Sequence, residues 1–353
     1  MFTKNNGFCT NNDKGSAFRR VFFEGFPEFQ SNDFYISGES YAGMYVPTLA
    51  LQVLEHNTEV DIAKAAGLEA AAAKINLKGI LVGNGVTGEG AIPEEVGMGN
   101  DVEFFFGHGL YNSTLHDAIV KECGDYKSPS QKCEGLIGTM HDDLGHINVY
   151  DIYTPCIMDM EKEDEQLSID HRAPFSAERA KRFGSGGPDG CIDAGAAKKY
   201  LDNVAVRKAL HVDVPAKNGK DWAICGGVQY SSNFGSLLPS YKKTLIPAIK
   251  VLIFNGDVDC CVPYKGNEWW TSSLEIPLKK GWRQWTVDSQ TAGYVTSYDS
   301  DFTFLTVKGS GHMVPQYRPK QALAMFERFV TGQAFDCEST DSCMPSAATK
   351  VEL

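Results

Sequence analysis

The stretch Asn32-Asp33-Phe34-Tyr35-Ile36-Ser37-Gly38-Glu39-Ser40-Tyr41-Ala42-Gly43 constrains the fold more than any other part of the chain. Phe34, Tyr35 and Ile36 are aromatic and β-branched residues suited to a buried strand. Gly38 permits a sharp reversal, after which Val46, Leu49, Ala50, Val53 and Leu54 recur at helical spacing. A serine on such a strand-to-helix turn projects its hydroxyl above the sheet edge. The backbone N–H of the next residue, Tyr41, then stands at the positive end of the helix, where it can face a developing oxyanion. This is the logic of a nucleophile elbow, whose strict pattern is Gly-x-Ser-x-Gly. Here the fifth position is Ala42, and Gly43 follows one residue later. A solvated serine on an ordinary strand–turn–helix is the competing reading, and context has to decide.

Three further apolar runs supply that context. Leu77 to Val82 predicts a second buried strand, ended by the turn Gly83-Asn84-Gly85. In a parallel α/β sheet the turns at the carboxyl ends of strands line the site, so this turn and the elbow share one edge. Val251-Leu252-Ile253-Phe254 predicts a buried strand ending at Asn255-Gly256-Asp257-Val258-Asp259. Phe302 to Val307 predicts a last strand, running into Lys308-Gly309-Ser310-Gly311-His312-Met313-Val314-Pro315. The strand ends thus carry Ser40, a carboxylate at Asp257 or Asp259, and His312, the chain order that α/β-hydrolases use. A neutral serine needs an imidazole to take its proton, and the imidazole needs a carboxylate to hold its tautomer and balance its positive charge. Taken singly, Asp-x-Asp after a strand reads as a turn or a metal-ligand pair, and a histidine in a glycine-rich loop reads as structural. All three in order, each after its own apolar strand, outweigh those readings.

At 353 residues the chain can bury a large core. Residues 1–15 read as a polar loop, and Phe18, Val21, Phe22 and Phe26 predict a helix stopped by Pro27. Pro47 falls early enough in the helix after Ser40 to be absorbed, and residues 57–74 read as an alanine-rich helical excursion, a surface insertion. From about residue 100 to about residue 240 the strand-then-helix rhythm disappears. The predicted organisation is a first part of the core over 1–100, a cap insertion over 101–240, a second part of the core over 241–335 with a closing helix from Pro319 to Phe329, and a tail over 336–353.

The formal net charge of −12 argues against nucleic acid and against an anionic membrane surface. No apolar run reaches transmembrane length. Ten cysteines without a Cys-x-x-Cys pair point away from zinc and thioredoxin-like chemistry, and no metal or cofactor is expected. Most of them read as disulfides formed in an oxidising lumen or outside the cell. Cys123 with Cys133, and Cys337 with Cys343, are spaced to close small loops, whereas the adjacent Cys260 and Cys261 suit distant partners better than each other. Asn112-Ser113-Thr114 is a glycosylation acceptor consistent with that compartment. The start, Met1-Phe2-Thr3-Lys4, shows no export signal.

The string Gly38-Glu39-Ser40-Tyr41-Ala42-Gly43 resembles the active-serine signature of the serine carboxypeptidases, the family of carboxypeptidase Y and cathepsin A. Asn255 to Asp259, followed by Gly266-Asn267-Glu268-Trp269, resembles the family's aspartate region, and Lys308 to Pro315 its histidine region. Tyr200 to His211 resembles another recurring segment and looks like one helix. The resemblance runs from about residue 16 to about residue 335. It implies an α/β-hydrolase fold, with a mostly parallel sheet lacking its first strands and a helical, disulfide-bearing cap. It implies removal of single residues from the carboxyl end of peptides, with Asp259 rather than Asp257 as the catalytic carboxylate. Glu39 would help bind the substrate's terminal carboxylate, which favours acidic pH because two carboxylates repel unless one is protonated. The Tyr41 N–H would be an oxyanion donor, Met313 would sit near the leaving residue, and Cys156 would pair with Cys191. The implied partners are peptides or proteins with a free C-terminus, with a homodimer as the candidate assembly. The implied compartment is the lysosomal or vacuolar lumen, or the outside of the cell.

The sequence also departs from that family. The strands and the Gly-Gly-Pro-Gly turn that precede the elbow in relatives, supplying a second oxyanion donor and an asparagine of the carboxylate clamp, are absent upstream of Ser40. Gly186-Gly187-Pro188-Asp189-Gly190 follows the nucleophile instead and reads as a plain loop. Losing one oxyanion donor costs about 3 kcal/mol. The strand at 33–37 would also lose a neighbour, and Cys225 would lose the partner its family counterpart has. The expectation is therefore the larger, C-terminal part of a serine carboxypeptidase with impaired activity as written. A lumenal binding or protective protein without the reaction, and an acyltransferase of the same fold, stay open beside it.

Overall fold

Apolar side chains directed alternately to the two sides of four short strands sort the core into two faces. The computed structural model describes residues 22, 23, 25–68, 73–145, 147–154, 195–212, 222 and 234–336. These divide between two compact units, one drawn from Asn11–Ile92 and Phe234–Leu353, the other from Pro93–Asn233.

In the first unit, β1 (Phe34–Glu39) leads into α1 (Ala42–Ala65), followed by β2 (Leu77–Gly83). In the second unit lie α2 (Glu94–Gly107), α3 (Ser113–Cys123), α4 (Gln131–Leu144), α5 (Gly195–Leu201) and α6 (Val204–Ala209). The first unit resumes with β3 (Lys250–Gly256), α7 (Tyr264–Ser273), β4 (Leu278–Val287), β5 (Gln290–Tyr298), β6 (Phe302–Val307), α8 (Val314–Tyr317) and α9 (Pro319–Thr331).

The strands form one six-stranded sheet in the order β1-β2-β3-β6-β5-β4. β1, β2, β3 and β6 run parallel, and β5 and β4 are antiparallel additions. Successive side chains of a strand point to opposite faces. Ile80, Val82, Val251, Ile253, Phe302 and Phe304 therefore meet α1 (Met44, Val46, Ala50, Val53) and Trp270 of α7 on one face. Leu81, Leu252, Phe254, Leu305 and Val307 meet Ala322, Met325 and Phe329 of α9 on the other. Burial on both faces is why β3 reads as an unbroken apolar run.

Two local expectations need correction. Residues 57–65 continue α1 instead of opening an excursion. The Asn57 side chain explains this: it donates to the Ile75 carbonyl (2.7 Å) and accepts from the Ile75 N–H (2.8 Å), tying the helix to the approach of β2. The segment from Tyr200 to His211 is two helices, not one, because Asn203 leaves the helical conformation and its side chain caps α6 by accepting from Ala205 N and Val206 N. The antiparallel hairpin β4–β5 has no clear signal in the sequence. Its two-residue turn, Asp288-Ser289, has φ of 51° and 59°, and the Ser300-Asp301 turn before β6 has φ of 60° and 53°. These left-handed hairpin turns are usually signalled by Asn-Gly or Asp-Gly.

In the second unit Cys123 and Cys133 form a disulfide that joins α3 to α4. Asn112 of the glycosylation acceptor is exposed and caps α3 through its side chain. Cys156, Cys191, Cys225, Cys337, Cys343 and the Gly186–Gly190 loop lie outside the described residues. Among the described residues no helix is long and apolar enough to cross a membrane.

Candidate active site

At the end of β1, Ser40 adopts φ +62°, a left-handed conformation that costs a non-glycine residue about 1–2 kcal/mol. The turn is held from both sides: Ser40 N donates to the Gly83 carbonyl (2.9 Å), and the Ser40 carbonyl accepts from Gly43 N (2.9 Å) and Val86 N (3.1 Å). Two glycines make this packing feasible. A Cβ at Gly38 would lie 2.5 Å from the Ala42 Cβ, and one at Gly43 would lie 2.2 Å from the Val86 carbonyl oxygen. The backbone thus demands glycine at 43 and tolerates alanine at 42, which accounts for the departure from the strict elbow pattern. No side chain caps the N-terminus of α1.

The exit of β2 is the next link. Asn84, wholly buried at φ +42°, donates its backbone N–H to the Phe254 carbonyl at the end of β3 (2.8 Å). Its side chain accepts from Gly256 N (2.9 Å) and donates to Asp259 Oδ2 (2.7 Å).

The two aspartates after β3 separate cleanly. The Asp257 carboxylate accepts from Gly309 N (2.6 Å), bracing the loop after β6. Asp259, with no solvent exposure, places Oδ2 2.7 Å from His312 Nδ1 and accepts from Cys261 N (2.8 Å, on Oδ1) and Val262 N (3.2 Å, on Oδ2). A carboxylate can only accept here, so Nδ1 carries the proton and Nε2 is left as the basic nitrogen. Gly256 lets the two loops close on each other, since a Cβ there would stand 2.0 Å from the Gly311 carbonyl oxygen. Val258 N donates to the Ser310 carbonyl (3.1 Å) across the same junction. Behind it runs a chain of buried amides: Asn255 donates to the Val262 carbonyl and accepts from Asn267, which in turn accepts from the Trp270 indole.

Glu39 is half-buried. Burial pushes its carboxyl above the ordinary carboxylate range, His312 pulls it back and Asp259 adds to the rise, so it shares the field of that pair. The Tyr41 ring meets Tyr45 edge-on at 5.2 Å, and the half-buried Met313 precedes α8, its carbonyl accepting from Gln316 N and Tyr317 N. The sheet therefore brings Asp259 and His312 into contact and sets the Ser40 turn on the same edge, joined to them through the Asn84 turn. Asn84 itself had no role in the sequence reading. Its signal was the Gly-Asn-Gly turn at a strand end, where an asparagine in left-handed conformation is free to aim its amide along the edge. No group of three or more His, Cys, Asp or Glu side chains that could hold a metal ion occurs among the described residues.

A mostly parallel sheet with an elbow serine after one strand and a buried Asp–His pair after two others defines an α/β-hydrolase. The chain matches the serine carboxypeptidase family over residues 9–332, and it belongs to that family. It is similar to serine carboxypeptidase-like 21 of Arabidopsis thaliana, with 34% identity over 94% of this chain and 72% of that protein. It is similar to serine carboxypeptidase 1 of Hordeum vulgare, with 33% identity over 90% of this chain and 66% of that protein. In fold it resembles Kex1(Δ)p, a prohormone-processing carboxypeptidase from Saccharomyces cerevisiae, with a TM-score of 0.57 and 20% identity over 90% of this chain and 66% of that one.

Proposed function

We propose that the chain removes C-terminal residues from peptides by acyl-enzyme chemistry in which Ser40 is the nucleophile, His312 the general base and acid, and Asp259 the partner of His312. The reaction class is that of its family, serine-type carboxypeptidase hydrolysis. The observation that carries the assignment of roles is the fully buried 2.7 Å contact between Asp259 Oδ2 and His312 Nδ1, on the sheet edge that also bears the Ser40 elbow.

In the proposed cycle the Ser40 hydroxyl attacks the last peptide carbonyl as His312 Nε2 takes its proton. The imidazolium, balanced by Asp259, then hands that proton to the departing amine as the C–N bond breaks. Water, deprotonated by the same nitrogen, cleaves the acyl-enzyme and restores Ser40. The Tyr41 N–H is the proposed oxyanion donor, at the start of α1. Glu39 in its protonated form donates to the substrate's terminal carboxylate, and its raised carboxyl keeps that form populated into mildly acidic conditions. Met313 lies in the proposed pocket for the leaving residue. Such a pH dependence suits a vacuolar, lysosomal or secreted setting, and the proposed assembly is a homodimer.

Hydrolysis of an N-blocked dipeptide, followed by release of its C-terminal amino acid, tests the proposal. Release that disappears in Ser40→Ala supports it. No release from the dipeptide, with transfer from an acyl-glucose donor to an alcohol instead, would assign the transferase reaction. Neither activity would leave a binding or protective role.

A further inference from the structure

We propose that Asn84 is a positioning residue for the Asp259–His312 pair, fixing which oxygen of Asp259 faces the imidazole; this rests on the triad reading above. The orientation of its amide is settled by its neighbours. Gly256 N–H can only donate, so the atom 2.9 Å from it is the amide oxygen, and the atom 2.7 Å from Asp259 Oδ2 is the NH₂ group. Asp259 Oδ2 is therefore shared by the Asn84 amide, His312 Nδ1 and Val262 N, with Oδ1 held by Cys261 N. Turning the carboxylate away from His312 would strip the Asn84 NH₂ of its acceptor in a place no water reaches.

The residue also stands between acid and nucleophile along the chain. Gly83, just before it, accepts from Ser40 N, and Val86, two residues on, donates to the Ser40 carbonyl. Movement of the Asn84 turn would shift both. Its chemistry is specific as well: aspartate would still accept from Gly256 N–H but would set a second carboxylate against Asp259. A larger side chain would meet the φ of +42°, which favours asparagine or glycine.

Two substitutions test this in the full chain, Asn84→Asp and Asn84→Gly, the latter keeping the left-handed backbone while deleting the amide. With the blocked dipeptide, Asn84→Gly is expected to lower kcat about 10-fold with KM unchanged, as for loss of one buried hydrogen-bond partner. Asn84→Asp is expected to move the acid limb of kcat/KM upward by about one pH unit, because a new carboxylate favours the imidazolium over the basic imidazole. The proton between His312 Nδ1 and Asp259, read as a far-downfield NMR resonance absent from His312→Ala, is expected to shift in both variants. Wild-type kcat with an unmoved acid limb and an unmoved resonance would overturn the proposal. So would a uniform loss of rate tracking a lower melting temperature with limb and resonance in place. A wild-type chain that neither cleaves the dipeptide nor reacts with an organophosphate would overturn the triad reading instead, and the resonance alone would then judge Asn84.

Discussion

Asp259→Asn changes one buried atom, and the structure states what that atom faces. The carboxylate accepts from His312 Nδ1, Asn84 Nδ2 and Val262 N on Oδ2, and from Cys261 N on Oδ1. An amide has one acceptor oxygen. Placed at the Oδ2 position, it keeps three donors satisfied and turns its NH₂ against a single N–H, that of Cys261. The opposite orientation opposes three donors, so the first prevails and the Nδ1–H tautomer of His312 survives. The two donors set against each other, that NH₂ and the Cys261 N–H, each cost about 1–3 kcal/mol of stability. The larger effect is electrostatic. A unit charge about 4 Å from an imidazolium is worth about 4 kcal/mol at an effective dielectric constant near 20, so its loss predicts a fall of about 10³-fold in kcat. Steady-state kinetics on a blocked dipeptide read this, with KM expected to hold because no substrate contact changes. Asp257→Asn is the matched control, since its carboxylate braces Gly309 N; its kcat should stay within a few-fold of wild type. A loss below 10-fold in Asp259→Asn, or an equal loss in both, would refute the reasoning.

Gly43→Ala should destabilise by about 1–2 kcal/mol in urea titrations, since its Cβ would press within 2.2 Å of the Val86 carbonyl oxygen, whereas Gly97→Ala in α2, with open space around it, should stabilise by up to about 1 kcal/mol. Destabilisation by both, or by neither, would sink the packing argument. Glu39 has a raised carboxyl in the fold, so its stabilising contribution is full below the unfolded value near 4.3 and is lost as pH rises through the folded one; Glu39→Gln should therefore gain melting temperature on wild type between about pH 4 and neutrality. A difference that stays constant with pH would count against it. Replacing Cys123 and Cys133 by alanine opens a loop of sequence separation 10 and should cost about 3 kcal/mol at most, read by calorimetry. No change in the transition would mean that the unfolded ensemble does not feel the bridge.

What could be read from sequence followed from what each element buries. β3 is enclosed on both faces, so Val251 to Phe254 announced it without help, and the loops after β3 and β6 could be placed on one edge because parallel strands share a direction. The choice between Asp257 and Asp259 needed resemblance, since both follow the same strand; in space one braces a loop and the other faces the imidazole. The β4–β5 hairpin escaped because Lys279, Lys280, Arg283 and Gln284 interrupt its apolar pattern and its turn, Asp288-Ser289, lacks glycine. The continuity of α1 through residue 65 leaves little mark in the sequence, because Asn57, which anchors its second half, bonds Ile75 at a separation of 18 residues. Asn84 was visible only as part of a turn, since a side chain's hydrogen-bond partners 172 and 175 residues away leave no mark on local pattern.

The proposed reaction requires Ser40 to be an activated nucleophile. An organophosphate probe that bonds only to such a serine, followed by mass mapping of the modified peptide, measures this without assuming a substrate. Stoichiometric labelling at Ser40 that is lost in His312→Ala is the predicted result. A chain left unmodified, or modified at another residue at the same rate with and without His312, would contradict it.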